Sequence, residues 1–150
     1  MPQTTRTAIP EKAFECTCLR VRKAARRLSQ IYDRHLDGSG LTITQFSLLG
    51  HLRAFDGIGI SALADKLVMD ASTLTRNLRP LEKRGLIVQR ADAADRRNRR
   101  LSLTREGHAA FAVARPRWEL AQREVAAAIG GDAGRQLAYS LDDLLARLPG

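Results

Sequence analysis

The chain has 150 residues, with 25 Lys and Arg against 16 Asp and Glu for a formal charge of +9, and is 44% apolar but only 5% aromatic. That is one domain, whose apolar share excludes an intrinsically disordered chain and whose few aromatics leave core packing to Leu and Ala. The longest apolar run, residues 109–114, is six residues where a membrane span needs about 20, and the N-terminus lacks the apolar core of a signal peptide, so we expect a cytoplasmic protein with no membrane partner. Cys16 and Cys18, two residues apart, exclude a secreted disulfide scaffold.

From Phe14 the apolar residues Phe14, Cys18, Val21, Ala25, Leu28, Tyr32 and Leu36 recur in steps of three and four, which predicts an amphipathic helix stopped by residues 37–40. Thr42 with Gln45 reads as a capping box, flanked by a Leu41/Phe46 hydrophobic staple, and opens a second helix to about Phe55. After Gly57 and Gly59, Ser61 is placed to cap a short third helix through Leu67. A turn at residues 68–70 follows, with Asp70 available as the N-cap of a fourth helix from Ala71 to about Arg84. Leu74, Leu78 and Leu81 form its buried seam. Ser72, Arg76, Arg79 and Lys83 fall at roughly 160°, 200°, 140° and 180° from Leu74, with Thr73 and Thr75 flanking, so hydroxyls and guanidinium groups face outward. Pro80 predicts a kink or an early end.

Residues 86–90 and 99–103 read as two short strands, and the segment between them, with Asp95, Arg96 and Arg97 at its tip, as a basic hairpin loop. Thr104 caps a long helix in which Pro116 predicts a bend or break. Gly130 and Gly131 end it, and Asp132 opens a last helix with leucines at 137, 141, 144 and 148.

The charge is concentrated: residues 72–105 hold 10 bases and 3 acids, a balance of +7, whereas residues 106–150 hold 5 bases and 6 acids. An arginine-rich quarter of the chain is the footprint of a phosphate-binding surface. Two short helices, a tight turn, a polar and basic outward face, then a hairpin with a basic tip make a winged helix-turn-helix, mainly α with a small β-hairpin wing. A major groove about 12 Å wide admits such a helix, while the hairpin places Arg at the minor groove. The apolar stripes of the terminal helices exceed what a monomer covers, which predicts a homodimer and a pseudopalindromic duplex site.

The segments LTITQFSLLGHL (residues 41–52), ISALADKLVMDASTLTRNLRPLEKRGLI (residues 60–87) and DRRNRRLSLTREG (residues 95–107) resemble the MarR family of bacterial transcription regulators, over roughly residues 12–148. The resemblance implies one MarR-like domain over residues 1–150. Helices within 12–40 and 104–148 would dimerise it, and a lobe at 42–103 would bind double-stranded DNA. By position it places Ser72, Thr73, Thr75 and Arg76 on the recognition helix, with Arg79 as a phosphate or base contact. Asp95 braces the wing, with Arg96 at its tip and Arg97 entering the minor groove. Pro80 departs from the commonest family pattern. The implied function is that of a regulator, a repressor released by a small aromatic or acidic effector. Leu28, Tyr32, Phe46, His51 and Phe111 are candidates to line its site, or else ordinary core.

Cys16 and Cys18 carry an alternative, a thiol that responds to oxidants. The Cys18 to Tyr32 spacing resembles the organic-peroxide-sensing branch, whose other tyrosine positions hold Arg22 and Ile43 here. The bland reading of Cys18 is a small buried hydrophobe. Gly57, Gly59 and Ala62 match a dinucleotide-binding glycine pattern but follow a helix rather than a strand. His35, His51 and His108 stand singly, without zinc spacing. No nucleophile elbow is present. We therefore expect no enzyme, no cofactor and no metal. The rival readings are a winged helix that binds protein or RNA, and a thiol peroxidase-like enzyme using Cys18.

Overall fold

Leucine spacing decides the architecture of the computed structural model, which describes residues 16–150. In chain order its elements are α1 (Thr17–Leu36), α2 (Ile43–Ala54), β1 (Ile58–Gly59), α3 (Ile60–Leu67), α4 (Ala71–Lys83), β2 (Ile87–Ala91), β3 (Arg99–Leu103), α5 (Arg105–Ile129) and α6 (Gly131–Arg147). Leu36, Leu48, Leu49, Leu52, Leu63, Leu74, Leu78, Leu81 and Leu101 are fully buried, each contributing on the order of 1.5–3 kcal/mol of transfer free energy. They fuse α2, α3, α4 and the sheet into one core, onto which Phe111 and Trp118 of α5 pack. Phe14, at the head of the expected α1 stripe, and the rest of the first fifteen residues lie outside the described part.

Several local expectations hold at atomic detail. Thr42 accepts from the Gln45 backbone N–H and the Gln45 side chain accepts from that of Thr42. Asp70 caps α4 and Thr104 caps α5. Others do not. Ser61 is not a cap: the chain first pairs Ile58 and Gly59 with Leu101 and Arg100, so α3 starts directly from Gly59 without a side-chain cap. The expected two-stranded hairpin is therefore a three-stranded antiparallel sheet in the order β1-β3-β2, with Ile87 opposite Leu103 and Ala91 opposite Arg99. Asp132 does not cap α6 either, since Gly130, at φ 89°, makes the turn and α6 begins at Gly131. Neither proline breaks its helix, and α4 runs to Lys83 and α5 to Ile129. Arg76 and Ala112, whose carbonyls lose a partner to Pro80 and Pro116, are both exposed, so water can satisfy them.

The helices outside the lobe are tied to it through α5, which packs against α1, α2 and α6. Tyr32 donates to Gln122, and Arg34 and His35 both reach Glu124 at 2.6 Å. Burial pushes the Tyr32 hydroxyl pKa up, while His35 and then Arg34 hold the Glu124 carboxyl below its usual range. Arg117 donates to the Asp37 carbonyl at 2.6 Å and Arg84 to the Gly40 carbonyl at 2.7 Å, clamping the α1–α2 turn from both sides. In α6 no residue is buried, and Leu137, Leu141 and Leu145, with Leu148 just after the helix, are exposed.

Candidate nucleic-acid interface

Helix α4 is held by its back. Leu74, Leu78 and Leu81 are at 0% exposure, which fixes the rotation of the helix and turns Ser72, Thr75, Arg76 and Arg79 together onto one shallow concavity at the surface. Asp70 organises the first turn: its carboxylate accepts from the Thr73 N–H at 2.8 Å, the Ser72 hydroxyl at 2.5 Å and the Thr73 hydroxyl at 2.7 Å. The Ser72 and Thr73 hydrogen bonds hold its pKa far below the ordinary carboxylate range. Thr73 Oγ1 in turn accepts from Arg76 Nη2 at 3.2 Å. The side chain of Arg79 has no partner among the described residues.

The wing is shaped by its acids. Asp92 accepts from the Ala94 N–H and from Arg100 Nε at 2.9 Å; these bonds, in that order, lower its pKa. Arg100 also donates to the Gly57 carbonyl, which joins the wing to the turn before β1. Asp95 accepts from the Arg97 N–H at 3.0 Å and from the Asn98 amide. The side chains of Arg96 and Arg97 have no partner among the described residues. Arg97 lines a groove with Gly59, Ser61 and Ala62 at the head of α3. Of the ten bases counted in this block, two are thus structural: Arg84 is bonded to a carbonyl of the α1–α2 turn, and Arg100 to Asp92 and Gly57. Sequence alone cannot separate those two from the rest.

A second feature lies between α2 and α5, a cleft of about 470 Å³ lined by Phe46, His51 and Phe111 together with Arg53, Arg115 and Trp118. Phe46 stacks on Phe111 with centroids 4.7 Å apart and on Trp118 at 5.6 Å, and Arg53 sits 5.4 Å over the Phe111 ring. His51 Nδ1 bonds the Ser47 carbonyl at 2.8 Å. Leu28 and Tyr32, the other two candidates, are on α1 and not in the lining, and Tyr32 is engaged with Gln122. Trp118 and Arg115 were findable from sequence, since they follow Phe111 by seven and four residues on one helical face. Cys18 is exposed rather than a buried hydrophobe, as is Cys16, whose Sγ caps α1 by accepting from the Leu19 N–H at 3.4 Å. Residues 16–27 of α1 are all exposed in the protomer, so the stripe meets no core at Cys18. His35, His51 and His108 join no cluster of three metal-ligating side chains among the described residues, and no helix there is long and apolar enough to cross a membrane.

The sequence profile of the MarR family matches residues 41–98, from the start of α2 to the wing tip. The HTH-type transcriptional regulator SarZ of Staphylococcus aureus is 29% identical over 86 residues, 57% of this chain and 58% of SarZ, so the matched region spans little more than half of the curated relative. The structural likeness extends further. The M. tuberculosis transcriptional regulator MosR, solved in complex with DNA, is 40% identical, with a TM-score of 0.76 over 89% of this chain and 100% of that one. The transcriptional repressor CouR, bound to a 23-mer DNA duplex, is 26% identical, with a TM-score of 0.78 over 93% of this chain and 99% of CouR. An outward polar helix with a buried leucine back, a basic wing, a profile match that spans the first and reaches the tip of the second, and near-complete superposition on a 40%-identical regulator lead to one assignment: the chain belongs to the MarR family of winged-helix, DNA-binding transcription regulators.

Proposed function

We propose that this protein is a homodimeric repressor that binds a pseudopalindromic operator and is released by a small aromatic or acidic effector. The observation that carries the proposal is the α4 surface: Ser72, Thr75, Arg76 and Arg79 share one exposed concavity while the opposite side of the helix is locked into the core. In this reading Ser72, Thr73, Thr75, Arg76 and Arg79 enter a major groove, and Asp95 holds the wing so that Arg96 and Arg97 reach the flanking minor groove. The lobe at 42–103 reads DNA and helices within 12–40 and 104–148 pair two copies. Exposed Leu19 and Val21 on α1, Val113 and Leu120 on α5, and the leucines of α6 supply the apolar surface for that pairing. A twofold dimer then sets its heads about one DNA turn apart.

The α2–α5 cleft is the proposed effector site, with Phe46, Phe111 and Trp118 as stacking faces and Arg53 and Arg115 as partners for an anion. Occupation shifts the dimer between head spacings only if the effector binds one arrangement better. Enrichment of random duplexes tests the core of the proposal, with recovery of an inverted repeat as the expected result. Recovery of none, or equal retention of single-stranded RNA, overturns it. Trp118 is the single tryptophan of the chain, so quenching of its fluorescence by a panel of aromatic carboxylates, run beside operator release, tests the effector step.

A second reading, response to oxidants, is favoured by the geometry at Cys16. This residue stands before the first helical turn in extended conformation (φ −81°, ψ 96°), and so is not held to the opposed i, i+2 directions of two helical cysteines. A hydroperoxide would oxidise one thiol to a sulfenic acid with release of an alcohol, and the other thiol would displace water to close a Cys16–Cys18 disulfide. Loss of two hydrogens per chain together with loss of operator affinity, both absent in Cys16→Ser, is the expected result.

A further inference from the structure

We infer that Asp70 is a positioning residue which sets the hydrogen-bond polarity of the recognition face, so that Ser72 accepts from an amino-bearing base, adenine or cytosine, in each half-site. The inference rests on the proposal that α4 enters the major groove and specifies what it reads there.

A hydroxyl has one proton and two lone pairs. On α4 all three exposed or half-exposed hydroxyls have that proton committed within the protein. Ser72 Oγ donates to Asp70 Oδ1 at 2.5 Å, Thr73 Oγ1 to Asp70 Oδ2 at 2.7 Å, and Thr75 Oγ1 to the Ala71 carbonyl at 2.7 Å. The first two bonds end on an ionised carboxylate, the stronger class of hydrogen bond, so turning either hydroxyl toward a new acceptor forfeits a charge-assisted contact. Ser72 and Thr75 therefore offer lone pairs alone. Phosphate oxygens, guanine O6 and N7, thymine O4 and adenine N7 are all acceptors and cannot bond to them. In the major groove only adenine N6 and cytosine N4 carry protons to give. The donors on the same concavity are Arg76 and Arg79, and Arg76 is itself steered by Thr73 Oγ1 at 3.2 Å, an atom oriented by Asp70. The face is thus divided: acceptors at its N-terminal end, donors one and two turns along.

Ser72 is the reader because it is exposed and lies on the concavity, whereas Thr73 is spent on Arg76. Thr75 is an internal control, since its proton goes to a backbone carbonyl that no change at Asp70 removes.

The test is binding-site enrichment from random duplexes with the full chain, Ser72→Ala and Asp70→Gly. Glycine is an acceptable N-cap, within a few tenths of a kcal/mol of aspartate, so the variant folds; it removes both carboxylate oxygens and frees the Ser72 proton. The unmodified protein is expected to select an inverted repeat in which one symmetric position prefers adenine or cytosine over guanine or thymine by about tenfold, the worth of one hydrogen bond. Both variants are expected to bring that position to within about twofold of parity, and Ser72→Ala, which leaves the Asp70–Thr73–Arg76 contacts in place, to keep the preference read by Arg76. The inference is overturned if the repeat is selected but Asp70→Gly keeps the full base profile with uniformly weaker binding, if Ser72→Ala changes no position, or if the position lost in Ser72→Ala had favoured guanine or thymine. Failure of the unmodified protein to select any inverted repeat overturns the groove-reading proposal itself and is distinguishable from those outcomes.

Discussion

Gly107 lies in the first turn of α5, where the helix leaves the wing, and a Cβ built on it would sit 2.0 Å from the carbonyl oxygen of Leu86, 3.0 Å from its carbon and 3.3 Å from Leu103 Cδ2. The nearest atom is backbone, so Gly107→Ala must displace the main chain by about 1 Å to reach even the tightest observed contact. That carbonyl accepts from the Thr104 N–H at 3.1 Å, and Thr104 Oγ1 links the Gly85 carbonyl at 2.6 Å to the Gly107 N–H at 3.0 Å. Overpacking costs about 1–3 kcal/mol, and weakening one of these bonds about 1 kcal/mol. The better helix propensity of alanine returns at most about 1 kcal/mol. The expected net loss is about 1–3 kcal/mol in urea unfolding. The same exchange at Gly134, whose Cβ would meet only Ile129 Cγ2 at an ordinary 3.9 Å, is expected to stabilise by about 0.5–1 kcal/mol. A Gly107→Ala variant within about 0.5 kcal/mol of the parent would refute the close-approach argument.

Arg97→Ala is expected to weaken duplex binding by roughly 1–3 kcal/mol, and Arg76→Ala to relax base preference as well, in titrations at several salt concentrations. Val68, exposed at the turn into α4, has φ 52°, a left-handed conformation that costs a β-branched residue about 1–2 kcal/mol; Val68→Gly should therefore raise the unfolding midpoint. Asp70, Asp92 and Glu124 all have depressed pKa values in the fold, so their contribution is fully present above the ordinary carboxylate range near pH 4 and is lost as pH falls through the folded values. Melting temperatures across a pH series should drop on that acid limb, and less steeply in Asp70→Gly. Asp95→Ala, although it raises the net charge, is expected to weaken operator binding several-fold in the same titrations.

How legible all this was depended on whether the governing contact is local. Capping by Thr42, Asp70 and Thr104 involves residues three apart, and the α4 seam of Leu74, Leu78 and Leu81 repeats within eight, so pattern alone locates them. β1 was missed because two residues, Ile58 and Gly59, carry no alternation, and their pairing depends on β3 some forty positions later. Nothing in the sequence singles out Gly107; its meaning comes from the Leu86 carbonyl. Of the two outcomes expected at each proline, a bend or an end, the end at Pro80 and the break at Pro116 do not occur, because propensity says nothing of whether the orphaned carbonyl faces water. Among the proposed interface residues, periodicity put the α4 set outward correctly, whereas the cleft depends on which faces of α2 and α5 meet, and there Phe46, His51 and Phe111 converge while Leu28 and Tyr32 do not.

The three acids within the basic block explain why charge and affinity need not move together. Glu82 accepts from the Gln89 side chain, Asp92 holds Arg100 and the Ala94 N–H, and Asp95 holds the Arg97 N–H and the Asn98 amide. Each carboxylate is thus spent on a turn or a strand. None is spent on the guanidinium groups of Arg79, Arg96 or Arg97, which keep no partner among the described residues. Four arginines within residues 96–100 repel one another over distances shorter than the roughly 8 Å screening length at physiological salt, so an unbraced loop would splay. Removing Asp95 adds a unit of positive charge, which simple electrostatics scores as tighter binding to a polyanion. It also removes the oxygen that orients the Arg97 backbone, so that backbone must be ordered at the moment of binding, at a cost of about 1–2 kcal/mol for each residue newly fixed. One more surface charge is worth less than that in screened solution, and the ordering cost decides the sign.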